Sequence, residues 1–383
     1  MAASMNNFDL TGGDLQWAQD VWTRTRAKIE AQCGRVGSGI PYIARDGRYG
    51  DKAAESIYWW TNGFWPGILW LMYAETGSKT CRRAAEAVET RLDTALAGYE
   101  GLHHDLGFMW TLSAGMDFKL TGNPLSRVRA LHAANLLAGR YNPRGRFIRA
   151  WNKGHSGWII IDSMMNLPLL YWASKEIEDP RYRYIAQDHA DTVLKYLVRP
   201  DGSCNHIGIL DVDTGALLET PAGQGFASGS SWSRGQAWAL YGFALSYAHT
   251  GERRYLETAL RIARYFTGEV SRFGFTPPVD FRAPEEPKKL DTSAGMIAAA
   301  GLLFLAGISE NAEKDSNFGT AMKLLKTAEA SYADWDTGRD SIIQMGTAQY
   351  HGKPEECHVP LIYSDYFFME SVYRLLHPGF EIW

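Results

Sequence analysis

Apolar residues return every three or four positions in about twelve separate stretches of this chain, and the two-residue alternation of a strand is nearly absent. The helical stretches are 15–32, 62–76, 79–98, 106–120, 124–141, 159–177, 180–197, 232–250, 252–266, 292–308, 317–335 and 363–376. The same punctuation recurs between them. Glu75-Thr76-Gly77, Leu120-Thr121-Gly122, Glu178-Asp179-Pro180 and His249-Thr250-Gly251 each follow one stretch and precede another. Such a break ends one helix and starts its antiparallel partner. The following helix carries Ala and Arg on a helical period, as in Arg82-Arg83-Ala84-Ala85 and Ala259-Leu260-Arg261-Ile262-Ala263-Arg264. Twelve helices in six hairpins predict an all-α fold, an (α/α)6 barrel with an inner ring wrapped by an outer one. The segment 292–305 reads as inner, being small or apolar on all sides; 323–332 reads as outer, being amphipathic. One β-hairpin is expected, Asn205–Leu218, turning at Asp213-Thr214-Gly215. No Pro/Ser-rich linker divides the chain, so residues 1–383 read as a single barrel domain.

A net charge of -4 leaves no basic face, which argues against nucleic acid as a partner. No run of 18 apolar residues offers a membrane span. Met1 to Asp14 is polar, without an apolar leader core, and Cys33, Cys81, Cys204 and Cys357 are scattered without a CxxC pair. A cytoplasmic protein with free thiols is the expectation. HExxH, P-loop, GxSxG and EF-hand patterns are missing. His103 and His104 are adjacent and would point apart on regular backbone, so neither a metal site nor a cofactor is expected. The 14 Trp, 19 Tyr and 16 Phe suit either a large core or stacking against sugar rings.

Two acids stand in apolar company. Asp105 lies in Gly101-Leu102-His103-His104-Asp105-Leu106-Gly107-Phe108, placed to cap the helix after it. Asp162 lies in Trp158-Ile159-Ile160-Ile161-Asp162-Ser163-Met164-Met165. A carboxyl desolvated by such a run should titrate high, as a group that donates and then accepts a proton near neutral pH must. Helix capping is the competing reading for both. A third constellation is Gln224-Gly225-Phe226-Ala227-Ser228-Gly229-Ser230-Ser231-Trp232-Ser233-Arg234-Gly235-Gln236-Ala237-Trp238. It feeds a Gly/Ser-rich loop into a helix whose first turn carries Arg234, suited to grip a carboxylate with both arms, and Trp238 follows one turn on. Pairing of Arg234 with a structural acid is the alternative.

Together these segments resemble unsaturated glucuronyl hydrolases, glycoside hydrolase family 88. The matching stretches are Trp60-Thr61-Asn62-Gly63-Phe64-Trp65, His103-His104-Asp105-Leu106-Gly107-Phe108, Ile148-Arg149-Ala150-Trp151, Ile159-Ile160-Ile161-Asp162 with Asn166-Leu167-Pro168, Ser231 to Trp238, Asp291-Thr292-Ser293-Ala294 and Ser364-Asp365-Tyr366-Phe367. The resemblance implies a cofactor-free hydrolase in an (α/α)6 barrel. Its substrates would be di- or oligosaccharides, left by polysaccharide lyases, that end in a 4,5-unsaturated glucuronic acid. It implies hydration of the C4=C5 enol ether rather than attack at the anomeric carbon. Carried over, Asp162 is the general acid/base and Asp105 the second essential acid. Trp60, His104, Trp151, His206, Gln224, Arg234 and Trp238 surround the unsaturated ring. Departures at Arg149, Tyr363 and the loop 350–356 lie where the leaving sugar would sit. A rhamnogalacturonyl hydrolase of the same barrel is the nearest rival; a sugar 2-epimerase or a non-catalytic sugar-binding barrel is more remote. A monomer or weak oligomer is expected.

Overall fold

The structure, a computed structural model, describes residues 10–383. Most of the polar stretch 1–14 therefore lies outside the described residues. Twelve helical rods dominate: α1 Gly12–Val36, α2 Phe64–Thr76, α3 Lys79–Gly98, α4 over residues 106–121, α5 Pro124–Ala138, α6 Leu167–Glu176, α7 Pro180–Tyr196, α8 Ser233–Thr250, α9 Arg253–Arg272, α10 Thr292–Gly307, α11 Asn311–Tyr332 and α12 Ile362–Leu376. The even-numbered helices form the inner ring, each packed on the next, and α12 closes the ring on α2. This is the (α/α)6 barrel that the hairpin count predicts. All of α10 is buried, which its TSAGMIAAAGLLFLAG sequence permits because small residues let its neighbours approach from every side. The outer helices bury one face only, as in α9, where Tyr255, Leu256, Ala259, Ile262, Ala263, Phe266 and Val270 face inward at helical spacing.

The punctuation does what its chemistry requires. Gly77, Gly122 and Gly251 stand at φ +66°, +73° and +74°, each closing an inner helix in the left-handed conformation. Ser78, Asn123 and Asp179 then cap the outer partners α3, α5 and α7 with side-chain oxygens. Tight turns of this kind make each outer helix antiparallel to the inner one before it. All six inner helices therefore run the same way, with their N-terminal ends on one rim.

Two predicted stretches differ in detail. The rod 106–121 contains a π-helical turn at Thr111–Gly115. The stretch 159–177 opens as strand and 3-10 turn rather than as α-helix. Trp158–Ile160 pairs with Ile207–Leu210 of the expected hairpin, whose return strand is Leu217–Glu219. The β-branched run Ile159-Ile160-Ile161 suits a pleated strand, and Pro168 confines the α-helix to a start at Leu167. The 3-10 turn Ile161–Met165 lies between and carries Asp162. Two short pairs, Ala44–Arg45 with Arg48–Tyr49 and Tyr141–Asn142 with Phe147–Ile148, make up the remaining strands. The main hydrophobic core runs from Ala18 to Trp383, and a small separate cluster of Ala150, Ile160 and Ile207 lies under Trp151 and Trp158. Among the described residues no helix is long and apolar enough to cross a membrane.

Candidate active site

The segments singled out in the sequence enter or begin inner helices, so the fold gathers them on one rim. Trp60 stands in the 3-10 turn before α2, Asp105 immediately before α4, Asp162 in the turn before α6, Arg234 in the first turn of α8, and Asp291 caps α10.

Asp105 is the N-cap of α4 and Asp162 the second residue of the 3-10 turn before α6, yet Asp105 accepts no capping bond and Asp162 Oδ2 has no hydrogen-bond partner. Asp291, by contrast, accepts from the Ser293 amide. A carboxylate not used for capping is available for other chemistry. Asp105 is nearly buried and meets His103 Nδ1 at 2.9 Å and His104 Nε2 at 3.5 Å. Burial opposes its charge, but His104, His103 and Asn166 outweigh burial and hold its carboxyl below the usual range. Burial also pushes His104 down, against the attraction of Asp105. Asp105 is therefore held as a carboxylate against the two imidazoles. The adjacent histidines converge rather than pointing apart, because residues 99–105 form a turn and not regular backbone. Potential ligand atoms of His103, His104 and Asp105 all lie within 4.8 Å of one another, so the expectation of divergent rings is corrected, and this is the cluster that could hold a cation.

Asp162 keeps 15% of its side chain exposed. Its Oδ2 faces His206 Nε2 at 3.5 Å, and neither atom has a hydrogen-bond partner. His206 is oriented from behind, its Nδ1 accepting the Gln224 backbone N–H at 2.9 Å. A ring nitrogen that accepts an N–H carries no proton, so in neutral His206 the proton is on Nε2, toward Asp162. The two acids are linked by Asn166. Its Nδ2 reaches Asp105 Oδ1 at 3.4 Å and the Asp162 carbonyl at 3.3 Å, while its Oδ1 accepts the Phe108 N–H at 2.8 Å. Gly107 makes this approach possible, since a Cβ there would meet the Asn166 Cα at 2.4 Å. Asn166 appeared in a matching motif without a role; its position four residues after Asp162 was the available signal. Arg140 was missed altogether. It donates to the carbonyls of Leu102, Arg149 and Ala150 and to Asn152 Oδ1, pinning the turn that carries Asp105 to the segment that carries Trp151.

Trp151 is half-buried, packed on Trp158 and His155 with ring centroids 5.5 Å away in each case. Trp60 is also half-buried, resting on Phe108, Phe64 and Tyr363. Both rings retain exposed surface for a sugar. Trp238 does not. It is fully buried one turn down α8, with Phe108 at 4.9 Å and Trp60 at 6.4 Å. The expected contact of Trp238 with the sugar is corrected to support beneath Trp60.

Arg234 also departs from its expected role. Its Nη1 reaches Asp291 Oδ2 at 2.6 Å, Ser293 Oγ at 3.2 Å and the Thr347 carbonyl at 2.8 Å, and its Nη2 bonds the Ala348 carbonyl. The guanidinium is 1% exposed between Trp232 and Tyr363. An end-on grip on a substrate carboxylate uses both Nη atoms, and here Nη1 is occupied by Asp291, Ser293 and Thr347. The structural acid, Asp291, takes Nη1, and the Ala348 carbonyl takes Nη2. Gln224 is half-buried, and its Nε2 donates to the same Ala348 carbonyl at 2.7 Å. Its side-chain nitrogen therefore anchors the loop 347–350, and its backbone orients His206.

The rim thus presents two acids, an oriented imidazole and two half-buried indoles, an arrangement able to stack a sugar ring and pass a proton to it. Residues 40–267 match the model of Glycosyl Hydrolase Family 88. An unsaturated glucuronyl hydrolase of Bacillus sp. (strain GL1) is 38% identical over 327 residues, covering 82% of this chain and 86% of that protein. An unsaturated chondroitin disaccharide hydrolase of Streptococcus pyogenes is 31% identical, covering 85% and 83%. The crystal structure of the unsaturated glucuronyl hydrolase from Bacillus sp. GL1 superposes with a TM-score of 0.88 at 33% identity, covering 94% of this chain and 96% of that one.

Proposed function

The chain belongs to glycosyl hydrolase family 88, and from that premise we propose that it removes a 4,5-unsaturated glucuronic acid from the non-reducing end of di- or oligosaccharides, with Asp162 as general acid/base. The activity is that of an unsaturated glucuronyl hydrolase. A related structure, 32% identical with a TM-score of 0.88, carries dGlcA-Glc-Rha-Glc, and other relatives bear names for chondroitin disaccharide hydrolysis. The observation that supports Asp162 is its carboxylate: in the helix-entry turn, free of capping bonds, partly exposed and facing His206 Nε2.

The chemistry follows from the enol ether. Asp162 gives its proton to C4, and positive charge develops at C5 and the ring oxygen. The anionic Asp105 nearby stabilises that charge. Asp162, now a carboxylate, takes a proton from water as its oxygen adds to C5. The product is a hemiketal, which opens and releases the remaining saccharide. One acid acts twice, so the carboxylate spacing of ordinary glycosidases does not apply. Trp60 and Trp151 supply stacking surface for the ring. No cofactor is required, and with four free thiols we place the protein in the cytoplasm.

The test is a panel of lyase-made unsaturated disaccharides from chondroitin, hyaluronan, heparin, gellan and rhamnogalacturonan, followed by loss of the ultraviolet absorbance of the conjugated double bond. Turnover of glucuronyl substrates is expected. Asp162→Asn should lower kcat by about 10²–10⁴-fold with binding retained; activity within about tenfold of the parent would refute the assignment. Turnover confined to the rhamnogalacturonan product would replace the substrate class.

A further inference from the structure

His189, on the outer helix α7, lies outside every motif that suggested chemistry, and it is completely buried. Its Nδ1 accepts the Ile148 backbone N–H at 2.9 Å. Nδ1 therefore carries no proton, and the neutral ring holds its proton on Nε2. Nε2 donates to Ser163 Oγ at 2.7 Å. Ser163 in turn donates to the Ile160 carbonyl at 2.5 Å. Both ends of this relay reach the rim. Ile148 lies in the strand that runs out to Trp151, three residues on, and Ser163 is the residue after Asp162, in the same 3-10 turn.

We infer that His189 is a positioning residue that sets the Asp162 turn through Ser163 and the Trp151 segment through Ile148. The inference rests on the proposed role of Asp162. Neutrality is built in. Burial first, and then the nearby His104, push the imidazole down to about 3, so it donates and accepts in one fixed tautomer at working pH. The hairpin containing Ile148 does not depend on this bond for docking. Asp188 also bonds Tyr141 and Arg146, and Thr192 Oγ1 donates to the Arg146 carbonyl at 2.8 Å. His189 variants are therefore expected to fold, with the relay removed.

The two arms can be cut separately. Asn places an amide oxygen near the Nδ1 position, so His189→Asn keeps the acceptor for Ile148 and loses the donor to Ser163. Gln reaches the Nε2 position, so His189→Gln keeps the donor and loses the acceptor. His189→Asn should lower kcat roughly 10–100-fold with KM within about threefold, because a misplaced catalytic group costs turnover rather than binding. His189→Gln should raise KM several-fold with kcat within about threefold of the parent. Ser163→Ala should reproduce the kcat loss of His189→Asn and add nothing when combined with it. A purely structural His189 would give both variants the same kcat and KM, tracking their melting temperatures, and that result overturns the inference. So does a kcat within about threefold of the parent for His189→Asn, or for Ser163→Ala should the His189 variants fail to fold. Asp162→Asn is the control: if it retains turnover, the reading of Asp162 fails; if it is inactive while Ser163→Ala is unchanged, the relay alone fails.

Discussion

Replacing Arg234 with Met separates a scaffold cation from a substrate cation. The variant leaves Asp291 fully buried, still held by Ser293 and the Thr347 amide but without a counter-charge. Removing one partner of a buried ion pair costs about 3–5 kcal/mol, most of it from the orphaned charge. At ~2.1 cal/mol/K per residue, a chain of 383 residues has an unfolding entropy of roughly 0.8 kcal/mol/K. The melting temperature should therefore fall by roughly 4–6 °C. Asp291→Asn in the same chain removes the orphan charge, and its amide oxygen can still cap α10. The double variant should regain roughly half of the loss, which calorimetry of the four proteins measures as a coupling energy. Arg234→Lys keeps the charge but cannot serve Asp291 and both carbonyls, so it should fall between parent and Met. The companion assay compares the free uronate with its methyl ester. Nη1 is committed to Asp291, Ser293 and Thr347, so the preference for the free acid should survive the substitution. A melting temperature within about 1 °C of the parent together with loss of that preference would refute this account and return Arg234 to the substrate.

Glu89 provides a pH signature remote from the rim. Ser126 Oγ lies 2.7 Å from Glu89 Oε2 and 2.6 Å from Asp117 Oδ2, yet has one hydrogen, so one of the acids must hold a proton. Burial, reinforced by Asp117, pushes Glu89 up to about 8. A carboxyl raised on folding binds its proton more tightly in the folded than the unfolded chain, so its contribution is complete below the unfolded value near 4.5 and is lost as pH climbs to about 8. Thermal melts should show Glu89→Gln gaining on the parent across that window; parallel curves would contradict the assignment. Trp383→Ala should cost about 3–5 kcal/mol, since its indole fills space beside Phe108, Phe367 and Tyr366 and donates to Glu370 at 3.0 Å; a denaturant midpoint equal to the parent's would disprove that plug. Dialysis against a strong chelator should leave kcat/KM unchanged, because proton transfer between Asp162 and C4 needs no ion. Loss of activity with recovery on adding zinc would instead give the His103, His104 and Asp105 cluster a metal.

Local order was the legible part of this protein. Helical periodicity, glycines that tolerate positive φ, and small side chains all round 292–307 are properties of neighbouring residues, so the sequence alone determines twelve helices, their hairpins and the inner ring. The acids were legible too, as residue types in unusual company. What the sequence leaves open is which backbone amides and side chains each group meets. Capping and catalysis use the same residue at the same helix-entry position, and only the turn geometry shows that the carboxylates of Asp105 and Asp162 take no cap. Arg234 finds its acid 57 positions away and a carbonyl partner 114 away, distances that no local pattern encodes. His189 bonds Ile148 and Ser163 across separations of 41 and 26 residues. A buried hydrogen bond is decided where two segments pack, because desolvation makes an unpaired polar group costly only once the neighbour that excludes water has arrived.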